Sequence, residues 1–86
     1  MTQEEITQSV LQALTDVAPE TDLATFRTDL SLRDQLDIDS MDMLNVVIGI
    51  HEALRIDIPE ADYARLATLD GAVIYLSARL AAGPAA

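Results

Sequence analysis

Apolar residues recur at spacings of three and four near the start of the chain, where Ile6, Val10, Ala13, Leu14 and Val17 share one face of a helix. Thr2, followed three residues later by Glu5, fits a capping box, so the pattern predicts a first helix over residues 3–17, ended by Pro19. From Glu20 to Asp39 single apolar residues (Leu23, Phe26, Leu30, Leu32 and Leu36) interrupt Thr, Asp and Ser, which predicts a long loop pinned to the core, with room for a short turn at 32–36. Loops of this length are uncommon in compact domains and often mark function. The run from Ser40 to Ile56 lacks proline and predicts a second main helix, with Asp39 or Ser40 as its N-cap and Asp42 in its first turn. Pro59 suits the first turn of a short helix over 60–66. Thr68 can cap a last helix that Leu69, Ala72, Val73, Leu76 and Leu80 bury along one side, with Gly83 and Pro84 ending it. No repeat is present and no segment alternates as a strand would. The expected fold is all-α, a small bundle of three main helices plus one short helix, with a single domain over 1–82 and a frayed tail at 83–86.

The helix over 40–56 carries two apolar sets. Met43, Val46, Val47, Ile50 and Leu54 form one continuous core stripe. Met41, Leu44 and Ile48 lie beside it, flanked by Asp42, Asn45 and Glu52. Either this helix is buried on nearly all sides, or it presents a modest apolar strip ringed by polar and acidic residues, the composition of a docking surface. Periodicity alone leaves both open.

At 86 residues the chain has enough core for such a bundle but too little for an ordinary enclosed active site. Half the residues are hydrophobic and only Phe26, Tyr63 and Tyr75 are aromatic, so the core must be aliphatic. Fifteen acidic residues face five arginines and no lysine, for a formal net charge of -10. A field of that sign repels nucleic acid and anionic lipid and favours basic patches on other proteins. Without cysteine there is no disulfide, thiolate zinc site or thiol nucleophile. No apolar run approaches the roughly 18 residues of a membrane span, and Met1 leads into polar residues rather than a secretory signal, so the expected protein is cytoplasmic.

Candidate chemistry is sparse. His51 is the sole histidine and lies about 16 Å along the helix from Ser40, so the two make no catalytic pair and His51 reads as a solvated flank residue. Asp37, Asp39 and Asp42 invite a calcium loop, but counting from Asp37 the positions that need an acceptor, a glycine and a glutamate hold Met41, Asp42 and Ile48. No metal site is expected. Ser40, where the long loop meets the helix, reads on its own as a cap.

The segment Leu36-Asp37-Ile38-Asp39-Ser40-Met41-Asp42 resembles the attachment motif of the acyl carrier proteins and related phosphopantetheine-carrying domains. The resemblance covers almost the whole chain, including Ile58-Pro59-Glu60 before the short helix and Thr68-Leu69 at the last. It implies a 4'-phosphopantetheine arm transferred from coenzyme A to Ser40 by a phosphopantetheinyl transferase, acyl groups held as thioesters, and no catalysis by the chain itself. It also implies a cleft between the second and third helices, for which Met41, Leu44, Ile48, Ile58 and Leu66 are candidate lining or border residues. Docking to basic patches of acyl-loading and acyl-transfer enzymes would use Asp39, Met41, Asp42, Leu44, Asn45, Ile48 and Glu52, with the protein a monomer. Asp37 stands where fatty-acid carriers usually have glycine, Met41 where leucine is usual, and Asn45 and His51 where glutamate is common. Those departures suggest a specialised carrier of a fatty-acid, polyketide or lipid pathway. Aliphatic acyl cargo is the first reading; an aminoacyl or peptidyl carrier, or an unmodified acidic helical adaptor that uses Ser40 only as a cap, is the alternative.

Overall fold

The computed structural model describes residues 1–82; the tail expected to fray at 83–86, with the Gly83-Pro84 stop, lies outside the described residues. The first helix, α1 (Gln3–Val17), begins at the capping box that the sequence encodes. Glu5 N–H donates to Thr2 Oγ1 at 3.1 Å, and Thr2 N–H donates to Glu5 Oε1 at 2.9 Å. Hydrogen bonds from Thr2, its backbone N–H first, hold the Glu5 carboxyl below its ordinary range. At the other end Ala18 N–H closes onto the Leu14 carbonyl, and Pro19 prevents a further turn.

The segment from Pro19 to Ser31 is a loop, followed by a short helix, α2 (Leu32–Leu36), capped by the Ser31 hydroxyl. Only part of the expected pinning holds. Leu32 is fully buried, while Phe26 and Leu36 pack against the core from its edge. Leu23 and Leu30 stand 51% and 46% exposed, so they pin nothing. Backbone hydrogen bonds tether the loop instead: Asp70 N–H reaches the Thr28 carbonyl and Leu32 N–H reaches the Ala67 carbonyl. The Gln35 amide adds a clasp, accepting from Arg27 N–H at 2.7 Å and donating to the Arg27 and Leu30 carbonyls.

Next comes α3 (Ser40–Leu54), two residues shorter than the periodicity predicts. Arg55 takes a left-handed conformation (φ 58°) and donates its N–H to the His51 carbonyl, which ends the helix before Ile56. His51 is more than a solvated flank residue: its Nδ1–H donates to the Ile56 carbonyl at 2.9 Å, tying the exit chain back to the helix. Val46, Val47, Ile50 and Leu54 are buried as expected, and Met43 packs at the core's border. Gly49 faces α1, where a Cβ would sit 3.2 Å from that of Ala13, so its missing side chain permits the close crossing of α1 and α3.

The expected short helix is present over Glu60–Leu66 as a 3₁₀ helix, with Pro59 preceding it as the cap rather than entering its first turn. Seven residues is long for this conformation, whose hydrogen bonds are poorly aligned. Side chains from α4 (Leu69–Ala81) brace it. The Tyr75 hydroxyl donates to Asp62 Oδ2 at 2.6 Å, and Arg79 donates to the Tyr75 oxygen and to the Asp57 carbonyl. Burial first, then the Asp62 carboxylate, raises the Tyr75 hydroxyl above its ordinary pKa. Thr68 caps α4 as expected; Leu69, Ala72, Val73 and Leu76 are buried, joined by Tyr75, while Leu80 lies at the border.

The architecture is therefore all-α, with α1 packed against both α3 and α4 around an aliphatic core. Fully burying a Leu or Ile side chain is worth about 1.5–3 kcal/mol, so the contrast between the two apolar sets of α3 is energetic as well as geometric. Ile50 is buried, whereas Leu44 and Ile48 are 38% and 43% exposed. Urea unfolding is expected to show Ile50→Ala losing about 2–5 kcal/mol and Leu44→Ala or Ile48→Ala less than about 1 kcal/mol. Equal losses would mean that α3 is buried all round.

Candidate functional site

The approach to α3 is set residue by residue. Asp37 adopts the left-handed region (φ 52°, ψ 47°) and ends α2, with its N–H on the Arg33 carbonyl. Glycine enters this region freely and aspartate is among the few other residues that tolerate it, so the substitution noted in the sequence is compatible with the turn. Ile38 then buries its side chain in the core. Asp39 is the N-cap: its Oδ1 accepts from Asp42 N–H at 2.9 Å, and Asp42 Oδ2 accepts from Asp39 N–H at 3.3 Å. The two carboxylates form a reciprocal cap with aspartate in the place usually held by glutamate or glutamine.

This settles the choice between Asp39 and Ser40. Ser40 is the first helical residue, not the cap. Its side chain is exposed, and among the described residues its hydroxyl has no hydrogen-bond partner. The group is therefore free for chemistry from outside, at the positive end of the α3 dipole.

Ser40 stands at the edge of an apolar cleft of about 340 Å³. Met43, Leu44 and Val47 of α3 form one wall, and Tyr63, Ala64 and Ala67 form the facing wall. The cleft expected from the sequence is thus present but differently lined. Leu44 lines it; Ile48 and Ile58 line a neighbouring cavity further along α3. Met41 lines neither, and Leu66 is 1% exposed within the core. Tyr63 and Val47 were not anticipated as lining residues, and neither has a signal in the sequence beyond its place in a helical segment.

Of the expected docking residues, Met41, Leu44 and Ile48 do form an exposed strip, with Asn45 and Glu52 exposed on the same helix. Asp39 and Asp42 have a structural task as well, since each binds the other's backbone N–H. Among the described residues no three His, Asp or Glu side chains come together as a metal site, and no helix is long and apolar enough to cross a membrane.

The fold is a small helical bundle that presents an unengaged serine at a helix start, beside an apolar cleft. Comparison with known sequences gives the class of protein. The chain is 37% identical over 73 residues to an acyl carrier protein of Kineococcus radiotolerans, covering 81% of this chain and 90% of the relative. It is 35% identical over 63 residues to one of Renibacterium salmoninarum, with 73% of each chain covered, and 30% identical over 79 residues to one of Acidothermus cellulolyticus, with 90% of each covered. No protein-family model matches the chain. The chain belongs to the acyl carrier protein family, and its role is that of a carrier.

The cap assignment separates two neighbouring substitutions. Asp39→Ala is expected to destabilise the fold by about 1 kcal/mol, as for other lost N-caps, while Ser40→Ala stays within about 0.5 kcal/mol of wild type. Thermal or urea unfolding checks this, and equal losses would mean that the serine hydroxyl shares the cap.

Proposed function

We propose that the protein carries acyl groups as thioesters on a 4'-phosphopantetheine arm attached to the Ser40 hydroxyl, and presents them to partner enzymes of a specialised fatty-acid, polyketide or lipid pathway. The observation that carries this reading is the unengaged, exposed Ser40 Oγ at the mouth of an apolar cleft. The arm supplies the thiol that a cysteine-free chain lacks. What the chain's own residues contribute is position. Asp39 and Asp42 fix the start of α3 without consuming the serine hydroxyl. The helix N-terminus, with backbone N–H groups beyond those the cap takes, favours a phosphodiester at that oxygen. Met43, Leu44 and Val47 offer an aliphatic acyl group a surface that excludes water. The protein acts as a cosubstrate of its partners rather than as an enzyme, as a monomer in the cytoplasm, where coenzyme A and a phosphopantetheinyl transferase would load it.

Partner enzymes with basic patches would meet the exposed strip of Met41, Leu44 and Ile48, with charge guiding the encounter. Glu52 is the cleaner probe of that guidance, because it is exposed and lies outside the cap that Asp42 maintains.

Incubation with coenzyme A and a promiscuous carrier transferase, followed by intact-mass measurement, is expected to add one phosphopantetheine to wild type and none to Ser40→Ala. Labelling of the alanine variant would displace the site, and an unmodified wild type with several active transferases would leave the adaptor reading in its place.

In the same assay Glu52→Gln is expected to slow labelling by a few-fold at low salt, with an unchanged melting temperature. The gap from wild type should close as ionic strength shortens the Debye length to about 8 Å and below. A defect independent of salt would point to a specific contact instead of steering.

A further inference from the structure

The cleft that Ser40 borders departs from the charge balance of the chain. Fifteen acidic residues face five arginines overall, yet among the described residues no carboxylate lines this space, and its single charged lining residue is Arg33. The acids at the start of α3 are turned to another task, since Asp39 and Asp42 bind backbone N–H groups of the cap. Elsewhere Arg27 pairs with Asp29, and Arg79 binds the Tyr75 hydroxyl and the Asp57 carbonyl. Among the described residues the Arg33 side chain makes no ion pair and no hydrogen bond, although Asp34 and Asp37 are close to it in sequence.

The backbone of Arg33 is clamped from both sides. Leu32, just before it, is fully buried and donates its N–H to the carbonyl of Ala67, on the facing wall of the same cleft, at 2.8 Å. The Arg33 carbonyl accepts from the N–H groups of both Asp37 and Ile38, and Ile38 is buried, so the last turn of α2 is tied directly to the segment that delivers Ser40. Arg33 is itself exposed, and its guanidinium is free to turn. Ser31 lines the cleft with it; the Ser31 oxygen accepts from Asp34 N–H, which leaves its O–H to donate. The cleft thus offers donors and no negative charge: a guanidinium, a hydroxyl and, at the start of α3, the Ser40 and Met41 N–H groups that have no intrahelical partner.

An unpaired cation in a chain of net charge -10 fits an anion, and the planar fork of a guanidinium matches two oxygens of a phosphate. We propose that Arg33 holds the arm at its base: its guanidinium pairs with the phosphodiester on the Ser40 oxygen, with the Ser31 hydroxyl as a second donor. The proposal rests on the reading of Ser40 as the attachment point, which supplies the anion. Pairing fixes the direction in which the arm leaves the bundle, because both partners stand on segments joined through the Arg33 carbonyl. It also offsets the repulsion that a further negative charge meets in so acidic a chain.

The test compares the arm-free and arm-bearing full chain in wild type, Arg33→Gln and Arg55→Gln. Arg55 is exposed at the far end of α3, about 22 Å along the helix from Ser40, so its variant carries the same change in net charge away from the site. Intact mass, with Ser40→Ala as the blank, establishes the arm first. Failure to acquire it overturns the reading of the site and this proposal with it, whereas an arm present and indifferent to Arg33 overturns this proposal alone. The readouts are the melting temperature of the arm-bearing form relative to the arm-free form of the same variant, and the phosphorus NMR resonance of the phosphodiester across a salt series. At low salt the change on acquiring the arm is expected to be about 1–5 °C more favourable in wild type and Arg55→Gln than in Arg33→Gln, a difference that narrows as salt rises. The phosphorus resonance should move with salt in wild type and Arg55→Gln, as the pair is screened, and stay nearly fixed in Arg33→Gln. Equal melting differences in wild type and Arg33→Gln, or phosphorus resonances with the same salt response, overturn the proposal, as does an Arg55→Gln protein that behaves like Arg33→Gln.

Discussion

Asp39 and Asp42 each accept the other's backbone N–H, and the placement of everything useful in this protein depends on that exchange. A helix start has four N–H groups without intrahelical partners, and an adjacent serine is an ordinary means of satisfying one of them. With two aspartates in that task, the serine between them projects a free hydroxyl from a rigid support. The cap also fixes where α3 begins, and so which of its residues face the core and which face the cleft. Two carboxylates thereby secure the helix start and leave the hydroxyl of its first residue unengaged.

The rest of the bundle shows how little core is needed when the helices approach closely. Gly49 lets α3 approach Ala13 on α1, and aliphatic residues from three helices fill the remaining space. Because the inner stripe of α3 supplies that packing, Met41, Leu44 and Ile48 are left at the surface. In a chain of net charge -10, docking at this strip as proposed would select partners by two criteria at once, shape at the strip and charge around it.

Much of this was legible in the sequence, and the failures have physical causes. The bounds of α1 followed from a capping box and a proline, both local signals that no tertiary contact overrode. The end of α3 did not, because Arg55 carries no mark of a left-handed residue, and the His51 bond to the Ile56 carbonyl forms only once the chain has turned. Leu23 and Leu30 were expected to pin the long loop because they are apolar; Gln35 holds it through an amide that has no periodicity to betray it. Ser40 was singled out by its neighbours in sequence, yet its freedom depended on whether Asp39 or Ser40 itself capped the helix, a choice only the folded geometry makes. That Tyr63 lines two cavities was invisible, since such a place is defined by the packing of segments distant in sequence.

The two walls of the cleft differ in what holds them. The α3 wall continues into the aliphatic core that α1 and α4 also share. The facing wall is a 3₁₀ helix with poorly aligned backbone bonds, anchored by Leu66 at one end and by the Asp62, Tyr75 and Arg79 side chains along its flank. Amide exchange in such a segment proceeds through local openings that cost far less than global unfolding. The cleft can therefore widen by a sub-global fluctuation of one wall while the scaffold that presents Ser40 stays folded, so the width of the cleft and the survival of the domain are governed by separate free energies.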